Sequence, residues 1–458
     1  MSSEREALPR RMRRMAEQTP ERRNRHVDLL RAVAICAVVL GHWLLFVPDF
    51  DVPEGVSAHS VLDDLPWAVV VTWVFQVMPI VFLVGGYANA ASLASHYRSG
   101  HDATSWLLSR TGRLLRPTTA LLAVLAAAGL LARTAGVDPL IIGTAVWAAA
   151  IPLWFLAVYL GMVFLAPLTH RLHQRLGLVV PIVLVGLVIV FDIAQFGFDV
   201  AHVPLVKYLL AWLAVHQAGY CWHDGLLPKR PWATGLLAGS GLAVALLLTT
   251  VGPYPVLMVG VPGAGVANSD PPTLALLALA AAQLGLALLL QHPANRWLRG
   301  VRPWSVVVGL NTAVFTIFLW HMTAGVLGAG LLLATDVMPQ PPLDTPEWLL
   351  LRIPWIACLA VLLVALTTVF GGVEAGRGGT LVDRSIRSVA RGGRPPERVR
   401  KAATVVGFLP VLGGLVAIAL AGEGDHGPAG LPTAAYVAYF GGAAVIAVVR
   451  ATAEPAPR

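Results

Sequence analysis

Apolar residues along this chain gather into runs of roughly twenty, each ended by a short polar or Gly/Pro-rich break. The runs fall near residues 29–48, 67–93, 117–135, 144–168, 177–198, 204–222, 232–252, 273–291, 304–334, 349–371, 402–421 and 432–449. About twenty apolar residues in a helix cross the ~30 Å hydrocarbon layer of a bilayer. A β-barrel would instead show ten-residue segments of alternating polarity. The pattern therefore predicts an all-α fold, a polytopic helical membrane protein with twelve spans. No repeat with a period of about 20–50 residues stands out, and the two halves of the first ten runs show no clear likeness.

Composition agrees. The 458 residues are 57% hydrophobic and 13% charged, with a mean hydropathy of +0.71, where a soluble domain carries about a quarter charged residues. The net charge of +8 could point to nucleic acid, but its placement points elsewhere. Of the 33 Lys and Arg, 29 sit in the N-terminal tail, the C-terminus and every second loop, while the intervening loops hold more than half of the 25 acidic residues. That asymmetry is the positive-inside signal, and it predicts two cytoplasmic termini. Nucleic acid is not an expected partner; membrane lipid is. Cys36, Cys221 and Cys358 give neither metal-ligand spacing nor a disulfide framework. High Ala, Arg, Gly and Pro usage fits a GC-rich bacterial genome and so a bacterial inner membrane.

Charge also marks the ends of the chain. Residues 1–26 carry eight arginines and little apolar content. This tail is expected to be disordered or to rest on anionic lipid, followed by a retained first helix rather than a cleaved signal. Residues 372–401 read as a basic cytoplasmic linker. The chain thus divides into the tail, a ten-span core at 27–371, the linker, and a two-span hairpin with a short tail at 402–458. The outer loops are short, the longest being 49–66 and 252–272, and the second suits a lid or a lipid-facing rim.

Ionisable groups inside a membrane segment are costly and mark function by default. The first run carries Arg31 and His42 eleven residues apart, which at ~100° per residue is three turns plus roughly 20°. Both side chains share one face, about 16 Å apart along the axis, and Asp28 stands three residues before Arg31, in pairing position. Arg31 alone also reads as a snorkelling residue, and His42 alone as a packing residue. His321 lies at a matching depth in the ninth run. Each histidine has a tryptophan neighbour, Trp43 and Trp320. His216 is the only other deep histidine, and with no carboxylate beside the three no metal is expected. At the start of the third run, SRTGRLLRP places Arg110, Arg113 and Arg116 three residues apart. They read either as positive-inside decoration or as a guanidinium clamp for phosphates.

These segments together resemble the integral-membrane acyltransferase-3 family. DLLRAVAICAVVLGH is similar to the family's first helix, with the R-x10-H spacing of Arg31 and His42. IVFLVGGYANA, containing Tyr87, resembles the second-span motif, with Gly85 where the family has serine. RTGRLLRP carries the RxxR pattern as Arg113 and Arg116. PLWFLAVYLGMVFLAPL resembles the fourth-region motif, from Trp154 to Pro167, and IFLWH matches the late span that ends in histidine. The likeness covers roughly 25–371. Where some members have a glutamate five residues after the tryptophan, this chain has Tyr159.

The resemblance implies transfer of an acyl group, acetyl first among candidates, from cytoplasmic acyl-CoA to a hydroxyl of a glycan, glycolipid or other membrane-accessible acceptor. His42 would be general base or acyl carrier, and His321 a second catalytic candidate that orients the acceptor, stabilises the oxyanion or simply packs. Arg31, Arg110, Arg113 and Arg116 would hold acyl-CoA (acetyl-CoA), and Asp28, Tyr87, Trp154, Tyr159 and Trp320 would orient the site. The competing reading is a proton-coupled secondary transporter or exporter. Scarce membrane carboxylates and the lack of a repeated half weigh against it. A scaffold or sensor leaves the buried histidines unexplained.

Overall fold

The computed structural model of the chain describes residues 8–20, 23–52, 55–60, 62, 65, 67–198, 204–260, 266–335, 339, 341–343, 345–374 and 396–453. In chain order the elements are α1 (Leu8–Glu17), α2 (Arg25–Leu45), β1 (Phe46–Val52), β2 (Gly55–Ser60), α3 (Ala68–Phe75), α4 (Met78–Arg98), α5 (Ala103–Thr134), α6 (Pro139–Ala150), α7 (Leu153–Leu176) and α8 (Val179–Phe198). They continue with α9 (Pro204–His223), α10 (Pro231–Thr250), α11 (Leu274–Trp297), α12 (Val301–Thr312), α13 (Val314–Thr335), α14 (Pro346–Glu374), α15 (Glu397–Ala419) and α16 (Thr433–Ala453). Among the described residues, eleven helical segments are long and apolar enough to cross a membrane. The fold is all-α and polytopic apart from one short hairpin, in which β1 pairs antiparallel with β2.

The predicted runs are broken where proline dictates. Run 67–93 is two helices, because Pro79 lacks an N–H and its ring clashes with the carbonyl four residues back, at Phe75. The freed backbone carbonyls find other donors: the Val77 N–H donates to the Phe75 carbonyl (2.8 Å) and Gln283 to the Gln76 carbonyl (2.7 Å), while the Gln76 side chain donates through Nε2 to the Met258 carbonyl (2.5 Å). Pro152 likewise separates α6 from α7. The sixth expected span, 204–222, does form a helix, α9. Its Lys207, His216 and Gln217 leave it less apolar than the eleven.

The chain divides into two compact units. The first comprises Met1–Val38, Pro66–Ala91 and Leu168–Val314. Here the N-terminal tail departs from expectation. Residues 8–17 are helical, because LPRRMRRMAE can turn Met12 and Ala16 to one side. Ala16 packs with Leu298, Trp304 and Val307, and Trp304 Nε1 donates to the Thr19 hydroxyl at 3.0 Å. Close approach of α4 and α9 requires a bare backbone at Gly86, where an added Cβ would come 1.9 Å from the His216 carbonyl oxygen.

A buried ion pair ties α8 to α9 in the same unit. Asp192 and Lys207, each with a side chain 2% exposed, meet at 2.5 Å. Gln195 accepts from Lys207, while the Tyr254 hydroxyl and the Leu274 N–H donate to Asp192. The described part of loop 252–272 is pinned rather than hinged. Trp73 donates to the Val256 carbonyl, Met258 N–H to the Thr72 hydroxyl, and Asn268 to the carbonyls of Pro255 and Leu257.

The second unit comprises Val39–Leu65, Ser92–Pro167 and Phe315–Arg458. Its centre is α5, which packs against α6, α14, α15 and α16. Asp102 caps α5 by accepting from the Ser105 N–H at 3.0 Å, and Arg400 pairs with it at 2.5 Å. Burial pushes the Asp102 carboxyl up, but the Ser105 bonds and the Arg400 charge outweigh this and hold it below the usual carboxylate range. The terminal hairpin, α15 and α16, lies along α5. The Tyr439 hydroxyl donates to the Leu115 carbonyl (3.3 Å) and bonds the Thr119 hydroxyl (3.1 Å), and Phe408 stacks on Phe164 at 4.6 Å. Most of the expected linker, 375–395, lies outside the described residues; its end is already helical, from Glu397.

Candidate active site

His42 and His321 meet. Their rings lie 5.0 Å apart between centroids, with His42 Nδ1 3.3 Å from His321 Nε2. His321 is fully buried and His42 half-buried. The other nitrogen of His321, Nδ1, sits 2.6 Å from the Phe318 carbonyl. A carbonyl oxygen can only accept, so His321 carries its proton on Nδ1 and offers Nε2 as an acceptor. In the neutral pair His42 therefore donates through Nδ1. Its lone pair is then on Nε2. A backbone carbonyl thus fixes the tautomer of one ring, and that ring fixes the tautomer of the next.

The dyad is braced from behind. Trp43 Nε1 donates to the His321 carbonyl (3.0 Å), and Trp355 Nε1 donates to the Trp43 carbonyl (3.3 Å). Trp320 stacks on Phe370 at 3.9 Å, joining α13 to α14. Glu374 caps the start of α13 by accepting from the Thr316 N–H at 2.8 Å and the Thr316 hydroxyl at 2.5 Å. An anionic group at a helix N-terminus satisfies donors that the helix itself leaves open.

A line of aromatic contacts leads from the dyad to the arginines of α5. Phe318 lies 5.9 Å from His321 and meets Phe155 edge-on at 5.2 Å. Phe155 stacks on Tyr159 at 5.6 Å, and Arg110 Nη2 donates to the Tyr159 hydroxyl at 3.0 Å. Trp154 is half-buried and edge-on to Phe155. Arg110 Nε–H is buried and has no acceptor among the described residues. Arg113 is exposed and Arg116 half-buried on the next turns. Where some family members have a glutamate, Tyr159 thus offers Arg110 a hydroxyl, and among the described residues no acid forms an ion pair with Arg110.

The remaining expected residues belong to the first unit. Asp28 is buried and does pair with Arg31, at 3.7 Å, but its closer partner is Arg23, which grips it in a two-pronged fork at 2.7 and 2.9 Å. Tyr87 meets Trp222 and His223 edge-on, lining a cavity of about 290 Å³ with Lys229, Gln291 and His292. His216 bonds Asn89 at 3.1 Å. Among the described residues no group of three His, Cys, Asp or Glu is placed to hold a metal ion.

Sequence reasoning missed Phe155, Phe318, Glu374, Trp355 and the fork of Arg23. Only Glu374 carried a signal, as a lone acid closing an apolar run.

A family model described as an acyltransferase domain matches residues 24–372. No curated protein and no solved structure matches the chain. The matched stretch holds the dyad, the α5 arginines and every motif of the sequence reading, and the chain belongs to the acyltransferase-3 family.

Proposed function

We propose that this membrane acyltransferase moves an acyl group, acetyl first, from cytoplasmic acyl-CoA to a hydroxyl of a glycan, glycolipid or similar membrane-accessible acceptor, with His42 Nε2 as general base. The observation that carries this reading is the His42–His321 pair, whose hydrogen bonding leaves the His42 lone pair on Nε2. In the step, the acceptor O–H gives its proton to His42 Nε2 while its oxygen attacks the thioester carbonyl. Collapse of the tetrahedral adduct breaks the C–S bond, and the departing thiolate takes the proton back from His42. Charge that appears on the His42 ring is shared through Nδ1–H with His321 Nε2, so His321 orients and stabilises without reacting. Arg110, Arg113 and Arg116 suit the phosphates of coenzyme A, since guanidinium forks match phosphate oxygens. A lipid-linked or small acceptor fits the short outer loops better than a large soluble polysaccharide.

The test supplies membranes containing the chain with acetyl-labelled acetyl-CoA. Label should enter a lipid or glycan fraction as an alkali-labile ester, and His42→Ala should abolish it. Label or substrate crossing sealed vesicles without any covalent product would instead support a carrier.

A further inference from the structure

The first unit holds the cavity of about 290 Å³ that Tyr87 and Trp222 line. Small-molecule sites have volumes of roughly 300–1,000 Å³, so this one suits a compact ligand. Its polar walls come from three segments: Asn24 just before α2, Lys229 in the turn between α9 and α10, and Gln291 of α11. Among the described residues that line it there is no Asp or Glu.

The hydrogen bonds around the cavity decide what these walls offer. The Trp222 indole N–H can only donate, and it donates to Gln291 Oε1 at 2.7 Å. The Gln291 amide therefore keeps its NH2 for the cavity. The His26 backbone N–H likewise donates to Asn295 Oδ1, so Asn295 presents Nδ2 to Asn24 Oδ1 at 3.0 Å. That consumes the Asn24 oxygen and leaves its NH2. Lys229 adds an ammonium, and no carboxylate among the described residues pairs with it. Three segments thus offer donors, one of them charged, and such a set is complementary to an anion with several oxygens.

His223 narrows the class of anion. Its Nδ1 is tied to Asp224 Oδ1 at 2.6 Å, while the other carboxylate oxygen accepts from His173 and Gln174. His223 is left with Nε2, a nitrogen that can take a proton from a ligand O–H. A phosphate monoester titrates at a pH of about 6 and can share that proton; a carboxylic acid has already lost its own at neutral pH. Beside these groups Tyr87 and Trp222, edge-on at 5.3 Å, form an aromatic wall.

We infer that this cavity is a binding site for a phosphate monoester, with its oxygens on Lys229, Asn24, Gln291 and His223 and its organic part against Tyr87 and Trp222. The inference does not rest on the acyl-CoA reading: the α5 arginines belong to the second unit, and none of them lines this cavity.

The experiment titrates full-length protein, in maltoside detergent and phosphate-free buffer, with phenyl phosphate, benzoate and benzyl alcohol by calorimetry. Phenyl phosphate should bind, benzoate about tenfold more weakly, and benzyl alcohol not detectably. Gln291→Glu keeps the acceptor for Trp222 but puts a carboxylate where the NH2 was. It should weaken phenyl phosphate about tenfold or more. Lys229→Met should weaken it about three- to tenfold, the smaller loss because Lys229 is exposed. Lys401→Met removes the same charge from an exposed site on α15 and should keep wild-type affinity. Dihexanoyl phosphatidic acid, a short-chain lipid, separates the two sources of such a group. Gln291-dependent binding of it, tighter than phenyl phosphate, names a lipid headgroup; binding of phenyl phosphate alone names a soluble ester. No binding of either by folded wild type would overturn the inference. So would benzoate binding as tightly as phenyl phosphate, or equal phenyl phosphate affinity in wild type, Gln291→Glu and Lys229→Met, which would place the anion elsewhere.

Discussion

His321→Phe isolates what the second imidazole contributes. The substitution keeps a ring of similar size in a fully buried position but deletes the acceptor 3.3 Å from His42 Nδ1. In the ground state this is a long bond between neutral groups, worth about 1 kcal/mol. In the transition state His42 has gained a proton, and a bond from a charged donor is worth about 1.5–3 kcal/mol. The difference, about 0.5–2 kcal/mol, falls on kcat, where it amounts to about 2- to 30-fold, while KM for the donor should barely change. Without the acceptor, His42 also loses the partner that keeps its lone pair on Nε2. His321→Gln, which can place an amide oxygen near the lost Nε2, should recover part of the rate. The assay is the initial rate of thiol release from acetyl-CoA, with saturation curves for each variant. Wild-type kcat in His321→Phe, or an effect confined to KM, would refute the relay from Phe318 to His42.

Three further outcomes follow from the geometry. Tyr159→Phe removes the hydroxyl that receives Arg110 Nη2 and should lower thermal stability by about 1–3 kcal/mol, the cost of a second unpaired donor, with unchanged melting as the refuting result. Asp192→Ala leaves Lys207 buried without its partner, a loss of about 3–5 kcal/mol, so chemical denaturation in detergent should show a large fall in midpoint; a midpoint equal to the wild type would contradict the clamp. The Asp102 carboxyl is held below its unfolded value, so its contribution is present above the unfolded pKa of about 3.9 and is lost as pH falls through the lower folded value. The melting advantage of wild type over Asp102→Asn should therefore be constant from neutral pH down to about 4 and vanish below it. An advantage that persists at lower pH would rule the linkage out.

Much of this was legible in one dimension. Runs of twenty apolar residues determine that helices cross a membrane, and matched depth in two runs put His42 and His321 on one level before any contact was known. Proline explains the breaks at 76–77 and 151–152. What the pattern could not show is pairing across long separations. Nothing in the spacing of Asn24, Lys229 and Gln291 announces that they line one cavity, and Phe155 and Phe318 are two apolar residues among many until their rings meet. The fork of Arg23 on Asp28 was hidden in a tail rich in arginine, where position rather than type decides the partner. The tail helix was missed because LPRRMRRMAE has so few apolar positions; its stability comes from Trp304 and its neighbours.

The central claim is that His42 performs acyl chemistry on a coenzyme A thioester. Its most direct test is the rate of coenzyme A thiol release from acetyl-CoA by purified wild type and His42→Ala, with donor binding measured in the same preparations. The account predicts comparable binding in both and a rate reduced by about 100-fold or more in the variant. An equal rate in His42→Ala, or no binding of acetyl-CoA or longer acyl-CoAs by folded wild type, would contradict it.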